Sequence, residues 1–159
     1  MKEIIVGIRG KYKAIVDDED FEWLSNFKWQ IYNPRQYPYA VTILSNGKQL
    51  LMHRMILNAP RELIVDHKDG NGLNNQRSNI RLCTRKENVR NCPRYSHNTS
   101  GYKGVCWIAP KRKWRAQYQI DRKCKVVGYF DNIIDAARAY NKAIKIAFGE
   151  FASPNKIDD

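Results

Sequence analysis

The sequence predicts an α+β chain made of two small modules, and three observations carry that prediction. Hydrophobic residues make up 43% of the 159, enough for a packed core and too many for a disordered chain. The segment "KWRAQYQID" (113–121) alternates strictly and is followed by an amphipathic helical stretch, "NIIDAARAYNKAIKIAFG" (132–149). Between this pattern and everything before it lies "VRNCPRYSHNTSGYKG" (89–104), with Pro93, Asn98, Ser100 and Gly101 and almost nothing apolar. The expected division is a first module over 1–92, a linker over 93–101 and a second module over 102–159.

Residues 1–58 read as short strands and helices. In "DDEDFEWLSNF" (17–27) carboxylates precede apolar residues, the order of a helix start, where negative charge complements the macrodipole. "YAVTILSNGKQLLMHRMIL" (39–57) reads as two strands flanking an Asn-Gly turn, then a helix. Residues 59–92 hold the chemistry. "ELIVDH" is a strand that delivers Asp66 and His67 to its end, "KDGNGLNN" a turn-rich connection, and "NIRLC" a returning strand. Thr84 followed by Glu87 forms a capping box that opens a helix, with Asn88 late in its first turn or just beyond.

In the second module three strands precede the helix. Trp114, Ala116, Tyr118 and Ile120 lie on one face of the alternating strand; Lys113, Arg115, Gln117, Gln119 and Asp121 lie on the other. The helix stripe of Ile133, Ala136, Ala137, Tyr140, Ala143, Ile144 and Ala147 covers the apolar face. Asn132 is the expected N-cap and Gly149 the expected stop. The polar face of the sheet stays open, with a width that suits a major groove.

Charge narrows the partner. Lys and Arg number 28 against 16 Asp and Glu, a net charge of +12, which favours a polyanion. Eight basic residues fall within 103–125, opposed only by Asp121, a density suited to tracking phosphates. No apolar run approaches the length of a membrane span, and the N-terminus has neither an h-region nor a cleavage site, so a cytoplasmic protein is expected. Cys83, Cys92, Cys106 and Cys124 form no C-x-x-C pair and read as reduced thiols. Structural zinc held by them with His97 is not expected at these spacings.

The residues "VDH", "DGNGLNNQRSNIR" and "ENVRN" together resemble the HNH nucleases, specifically the phage and intron-encoded homing endonucleases with a ββα-metal finger. The resemblance implies that Asp66 and Asn88 hold a divalent cation, Mg²⁺ first and Mn²⁺ second. It makes His67 the general base and Asn79 the residue that orients it. Histidine's ordinary pKa, about 6.5, leaves it able to take a proton at neutral pH. A carboxylate and an amide form a hard-oxygen site with little charge to repel DNA. Arg77, Arg81, Arg85, Lys86 and Arg90 surround the motif, and Arg77, Arg81, Arg85 and Arg90 are the expected backbone contacts. His53, in the segment upstream, is open between a structural histidine and a phosphate contact.

"GYKGV" (101–105), "KWRAQY" (113–118), "GYF" (128–130), "AARAYN" (136–141) and "GEFASPN" (149–155) are similar to the AP2 DNA-binding domain. That likeness implies a sheet in the major groove, with Lys103, Lys113, Arg115, Gln117, Gln119, Lys123 and Lys125 as the contacting residues. Cys106, Gln117, Gln119 and Val126 depart from the plant pattern, so its GC-rich preference does not transfer. Trp107 is open between stacking on sugar and packing beneath the sheet. Taken together, the expectation is a metal-dependent homing-type endonuclease that nicks double-stranded DNA as a monomer in the bacterial host of a phage or mobile element. The alternative is a DNA-binding regulator with an inert nuclease module.

Overall fold

β1 (Lys2–Val6) and β2 (Tyr12–Val16) form an antiparallel ribbon whose alternate residues Ile4, Val6, Ala14 and Val16 turn inward, at 0–7% exposure. This is the first element of a computed structural model that describes residues 1–7, 10–33, 37–90 and 98–157. Cys92, His97 and linker residues 93–97 lie outside the described residues. The chain divides into two compact units, Met1–Val89 and Arg90–Asp159.

In the first unit, α1 (Asp18–Leu24) follows the ribbon and buries Leu24 completely. Its acidic start was expected to serve the macrodipole, but the carboxylates have a further use. Asp17, the N-cap residue, makes no side-chain capping bond, and Asp20 is only 1% exposed. Both reach instead to the loop that follows His67. β3 (Gln30–Tyr32), β4 (Tyr39–Ile43) and β5 (Gln49–Leu51) make a three-stranded antiparallel sheet in the order 3-4-5. The β4–β5 turn holds the expected Asn-Gly, with Gly47 at φ +77. α2 (Met52–Ile56) continues directly from β5 and buries Met52, His53 and Ile56.

β6 (Ile64–His67) and β7 (Ile80–Cys83) pair antiparallel, with Asp66 opposite Arg81 and His67 opposite Ile80. α3 (Arg85–Arg90) follows, and its capping box is formed: the Thr84 amide donates to Glu87 Oε2 at 2.8 Å and the Glu87 amide to Thr84 Oγ1 at 3.4 Å. Val65 and Ile80 join the core built on the β1–β2 ribbon, Leu24, Trp29, Met52 and Ile56. Each fully buried aliphatic side chain there contributes roughly 1.5–3 kcal/mol. The hairpin bearing the Asp-His pair is therefore mounted on a shared core.

The second unit is a three-stranded antiparallel sheet in the order 10-9-8, made of β8 (Val105–Ile108), β9 (Lys113–Ile120) and β10 (Lys123–Phe130), with α4 (Ile133–Phe148) on one face. Val105, Ala116, Ala136, Ala137, Tyr140 and Ile144 form its core. Asn132 caps α4 by accepting from the Ile134 amide at 2.7 Å, and Gly149 ends it with φ +54. Gly104 is obligatory: a Cβ there would lie 2.1 Å from the Tyr140 ring. Residues 98–101, expected as linker, are a built turn. The Gly101 amide and Ser100 hydroxyl donate to Asn98 Oδ1, and Asn98 Nδ2 donates to the Tyr102 carbonyl. The described residues give a mixed α+β chain with small sheets and few helices, and none of those helices is long and apolar enough to cross a membrane.

Candidate active site

Alternation along β6 would send Asp66 and His67 to opposite faces of a simple ribbon. Yet both are 6% exposed, because Asp66 is covered from β7 and His67 from the loop and α2. The loop between the strands is held at three places. Ile15 of β2 pairs with it through two backbone bonds, its amide to the Leu73 carbonyl and the Asn75 amide to its own carbonyl, both at 2.8 Å. Asp17 accepts from Gln76 Nε2 at 3.2 Å and from the Arg77 amide at 2.8 Å. Asp69 accepts from the Asn71 amide, Asn74 Nδ2 and Asn79 Nδ2 at 2.8–3.0 Å. These bonds hold the Asp69 carboxyl below the ordinary range, although its partial burial acts against them.

The loop sets the imidazole. Asn75, wholly buried, lies with its Oδ1 3.2 Å from His67 Nε2. Its Nδ2 donates to the Leu73 carbonyl at 3.3 Å and to Met52 Sδ at 3.4 Å, so Oδ1 is the accepting atom. Nε2 of His67 therefore carries the hydrogen, and Nδ1 keeps the lone pair. Burial lowers the His67 pKa, with Asn75, Asp69 and Asp66 acting in the opposite sense, so the ring is neutral near pH 7. That is the protonation state a general base needs.

Asn79 was expected to orient His67, and its side-chain hydrogen bonds run to the loop that follows the ring. Its side chain is used within the loop: Nδ2 donates to Asp69 Oδ1 and the Asn74 carbonyl, and Oδ1 accepts from the Asp69 amide at 3.1 Å. With its carbonyl accepting from the Lys68 amide, Asn79 fixes the backbone just beyond His67 rather than the ring. Four asparagines within nine residues gave the sequence no basis for choosing Asn75 among them.

Two more rings close on the imidazole. His53 meets it edge to face at 5.0 Å between centroids, and Tyr39 lies 5.8 Å from it. His53 is 5% exposed and its Nδ1 has no hydrogen-bond partner among the described residues. Burial, then His67, pushes its pKa down to about 3. Gly72 admits Tyr39 to this position, because a Cβ at residue 72 would fall 2.5 Å from the Pro38 carbonyl oxygen and 2.6 Å from the Tyr39 ring.

Asp66 faces Arg81 across the ladder. Nε and Nη2 of Arg81 donate to Asp66 Oδ2 at 2.9 and 2.7 Å, with side chains 10% and 6% exposed. Arg81 was expected on the DNA backbone; its guanidinium instead meets the carboxylate expected to bind the cation. Asn88 is the fourth residue of α3, half-buried, with its amide donating to the Thr84 carbonyl at 3.0 Å. No group of three or more His, Cys, Asp or Glu able to hold a metal ion occurs among the described residues. The donors of Asp66 and Asn88 are few and hard, which suits a divalent cation that keeps most of its water.

Among the other basic residues, Arg77 has partners within its own unit. It spans the acids of α1, with Nε 2.8 Å from Asp20 Oδ2 and 2.6 Å from Glu19 Oε1, so it braces the loop. Arg85 is exposed at the start of α3. Arg90, the first residue of the second unit, lies 4.4 Å over the Phe148 ring, and its carbonyl accepts from Lys103 Nζ. On the sheet, Arg115 pairs with Cys106 and Tyr129, Gln117 with Val126 and Gln119 with Cys124, all on the face away from α4. Lys113 shares that face, 3.2 Å from Asp131. Lys125 stands opposite Tyr118 and Lys123 opposite Ile120, so the register assigns both to the other face. Trp107 is 48% exposed and meets Trp114 edge to face at 5.2 Å.

A family model described as HNH endonuclease matches residues 58–90, the span from the end of α2 through α3. An uncharacterized HNH endonuclease of Acanthamoeba polyphaga mimivirus is 30% identical over 147 residues, 91% of this chain and 75% of that protein. Protein 3.8 of Escherichia phage T7 is 39% identical over 64 residues, covering 40% of this chain and 53% of its own length. No solved structure matches. HNH nucleases use a divalent metal ion and act on DNA. The matched segment contains both strands of the Asp-His hairpin, its loop and the capped helix, and the chain belongs to the HNH endonuclease family as a DNA endonuclease.

Proposed function

We propose that this protein is a homing-type endonuclease that hydrolyses one phosphodiester of double-stranded DNA per encounter, at a site chosen partly by its second unit. The observation that carries the chemistry is the buried, neutral His67 whose tautomer is set by Asn75, beside Asp66 at the end of β6. His67 Nδ1 takes the proton of the attacking water, and Asn75 steadies the imidazolium that forms. Asp66 and Asn88 would hold Mg²⁺, or Mn²⁺ in its place, and the cation would relieve charge on the phosphate. Asn79 and Asp69 keep the loop from drifting while the ring changes charge. The products are a 5′-phosphate and a 3′-hydroxyl, as the resemblance to homing enzymes implies.

The second unit supports the reading role in an AP2-like manner. Its uncovered sheet face carries Lys113, Arg115, Gln117 and Gln119 in one alternating row. Long polar side chains on a flat face suit base edges and phosphates in a major groove. Lys103 and Arg85 would add backbone contacts. One Asp-His centre per chain favours a nick by a monomer, inside the host cell of a phage or virus.

Supercoiled plasmid incubated with Mg²⁺ tests the proposal. The wild type converts it to the relaxed form, and His67→Ala slows this by ~10²–10⁴-fold, the usual worth of a general base. DNA binding without nicking by either protein would instead mark a regulator.

A further inference from the structure

Asp66 is the carboxylate expected to hold the cation, and a cation of the protein's own already faces it. Two nitrogens of Arg81 converge on a single oxygen of Asp66, in register across the ladder and almost out of water. Such a pair is electrically neutral, and the second expected ligand, Asn88, is an uncharged amide. The two expected ligands and this arginine together therefore offer a divalent ion no net negative charge. A buried guanidinium within a few ångströms repels an incoming cation, and water screens that repulsion little there. The phosphate of the DNA brings negative charge that draws such an ion in.

We propose that Arg81 is a positioning residue: it aims and neutralises Asp66, so that the protein takes up its divalent cation together with DNA and not before it. This rests on the reading of Asp66 as a cation ligand. In the absence of DNA the guanidinium answers the charge of a buried carboxylate. When a phosphate arrives, the added negative charge offsets Arg81 and makes room electrostatically for the ion. The device would keep the centre without a bound cation away from DNA.

Mn²⁺ binding, counted by electron paramagnetic resonance, is the test, with full-length protein carrying His67→Ala so that the duplex stays uncut. Without DNA the binding is weak, and a duplex of roughly two helical turns tightens it by at least about tenfold. Arg81→Gln binds Mn²⁺ at least about tenfold more tightly than its parent without DNA, and the duplex then adds less. Its melting temperature is lowered without the ion and recovers on adding Mn²⁺ by more than the parent's shift. A merely structural arginine would give the loss without that recovery. Mn²⁺ affinity in the parent that is indifferent to the duplex overturns the inference, even if Arg81→Gln fails to fold. So does a folded Arg81→Gln with unchanged affinity, provided Asp66→Asn still abolishes binding. Binding that survives Asp66→Asn in the DNA complex would sink the reading of the site itself.

Discussion

Asn75 shows how much a single side chain decides here. Its amide is held at Nδ2 by Leu73 and Met52, and this forces Oδ1 to accept from His67 and leaves the lone pair on Nδ1. Asn75→Ala is expected to lower nicking by about 10–100-fold, the range for residues that orient a catalytic group. Asn75→Asp places a carboxylate against the ring, favours the imidazolium and moves the lower limb of the pH–rate profile upward. Asn79→Ala should mainly lower the melting temperature, since Asn79 bonds the loop and not the ring. Rates per folded molecule that fall equally for Asn75→Ala and Asn79→Ala would count against this division. The sequence made Asp66 and His67 easy to single out, because an acid and an imidazole at a strand end are chemically unusual. It gave no means of ranking Asn71, Asn74, Asn75 and Asn79, whose roles follow from partners 2 to 23 residues away.

At the level of elements, the hairpin is rigid because the loop is laced to β2 and α1. Gly72 is the tightest point. Gly72→Ala forces a methyl group onto the Pro38 carbonyl oxygen and the Tyr39 ring, and a cost of about 1–3 kcal/mol in urea unfolding is expected. Because Tyr39 also packs on His67, activity should fall further than the folded fraction does. Thr84→Ala removes half of the capping box of α3 and should cost about 1 kcal/mol, with loss of helicity confined to Arg85–Arg90. Turns, caps and the alternation of β9 were legible because they depend on neighbours in the chain. The bracing role of Arg77 was not, because its partner Asp20 lies in α1, 57 residues earlier. The acidic run at 17–20 was read correctly as a helix start and incompletely as a set of loop anchors.

For the whole molecule, two buried histidines tie stability to pH. His53 titrates near 6.5 when unfolded and at about 3 when folded, so the unfolded chain binds the extra proton between these values. Stability is then complete above pH 6.5 and is lost as pH falls toward 3, by about 2 kcal/mol for His53 alone between pH 7 and pH 5. His67, also lowered, adds to the loss in the same direction. Urea titrations at the two pH values measure it, and His53→Phe should flatten the dependence. The charge of +12 governs binding in turn: affinity for DNA should fall steeply with salt. Arg115→Ala should shallow the slope of log K against log salt by about 1 if its guanidinium meets a phosphate.

By itself the sequence determined the class of chemistry and the order of strands and helices around Asp66 and His67. These rest on local rules: periodicity, turn residues, a capping box and the residue types that move protons or hold hard cations. Only the tertiary structure decided that Asn75 holds the imidazole, that Arg81 and Arg77 answer carboxylates, and that Lys123 and Lys125 share the face of Ile120 and Tyr118. The physical reason is burial. Once a charge or an amide leaves water it must find its complement at any sequence distance, and that choice is made in three dimensions.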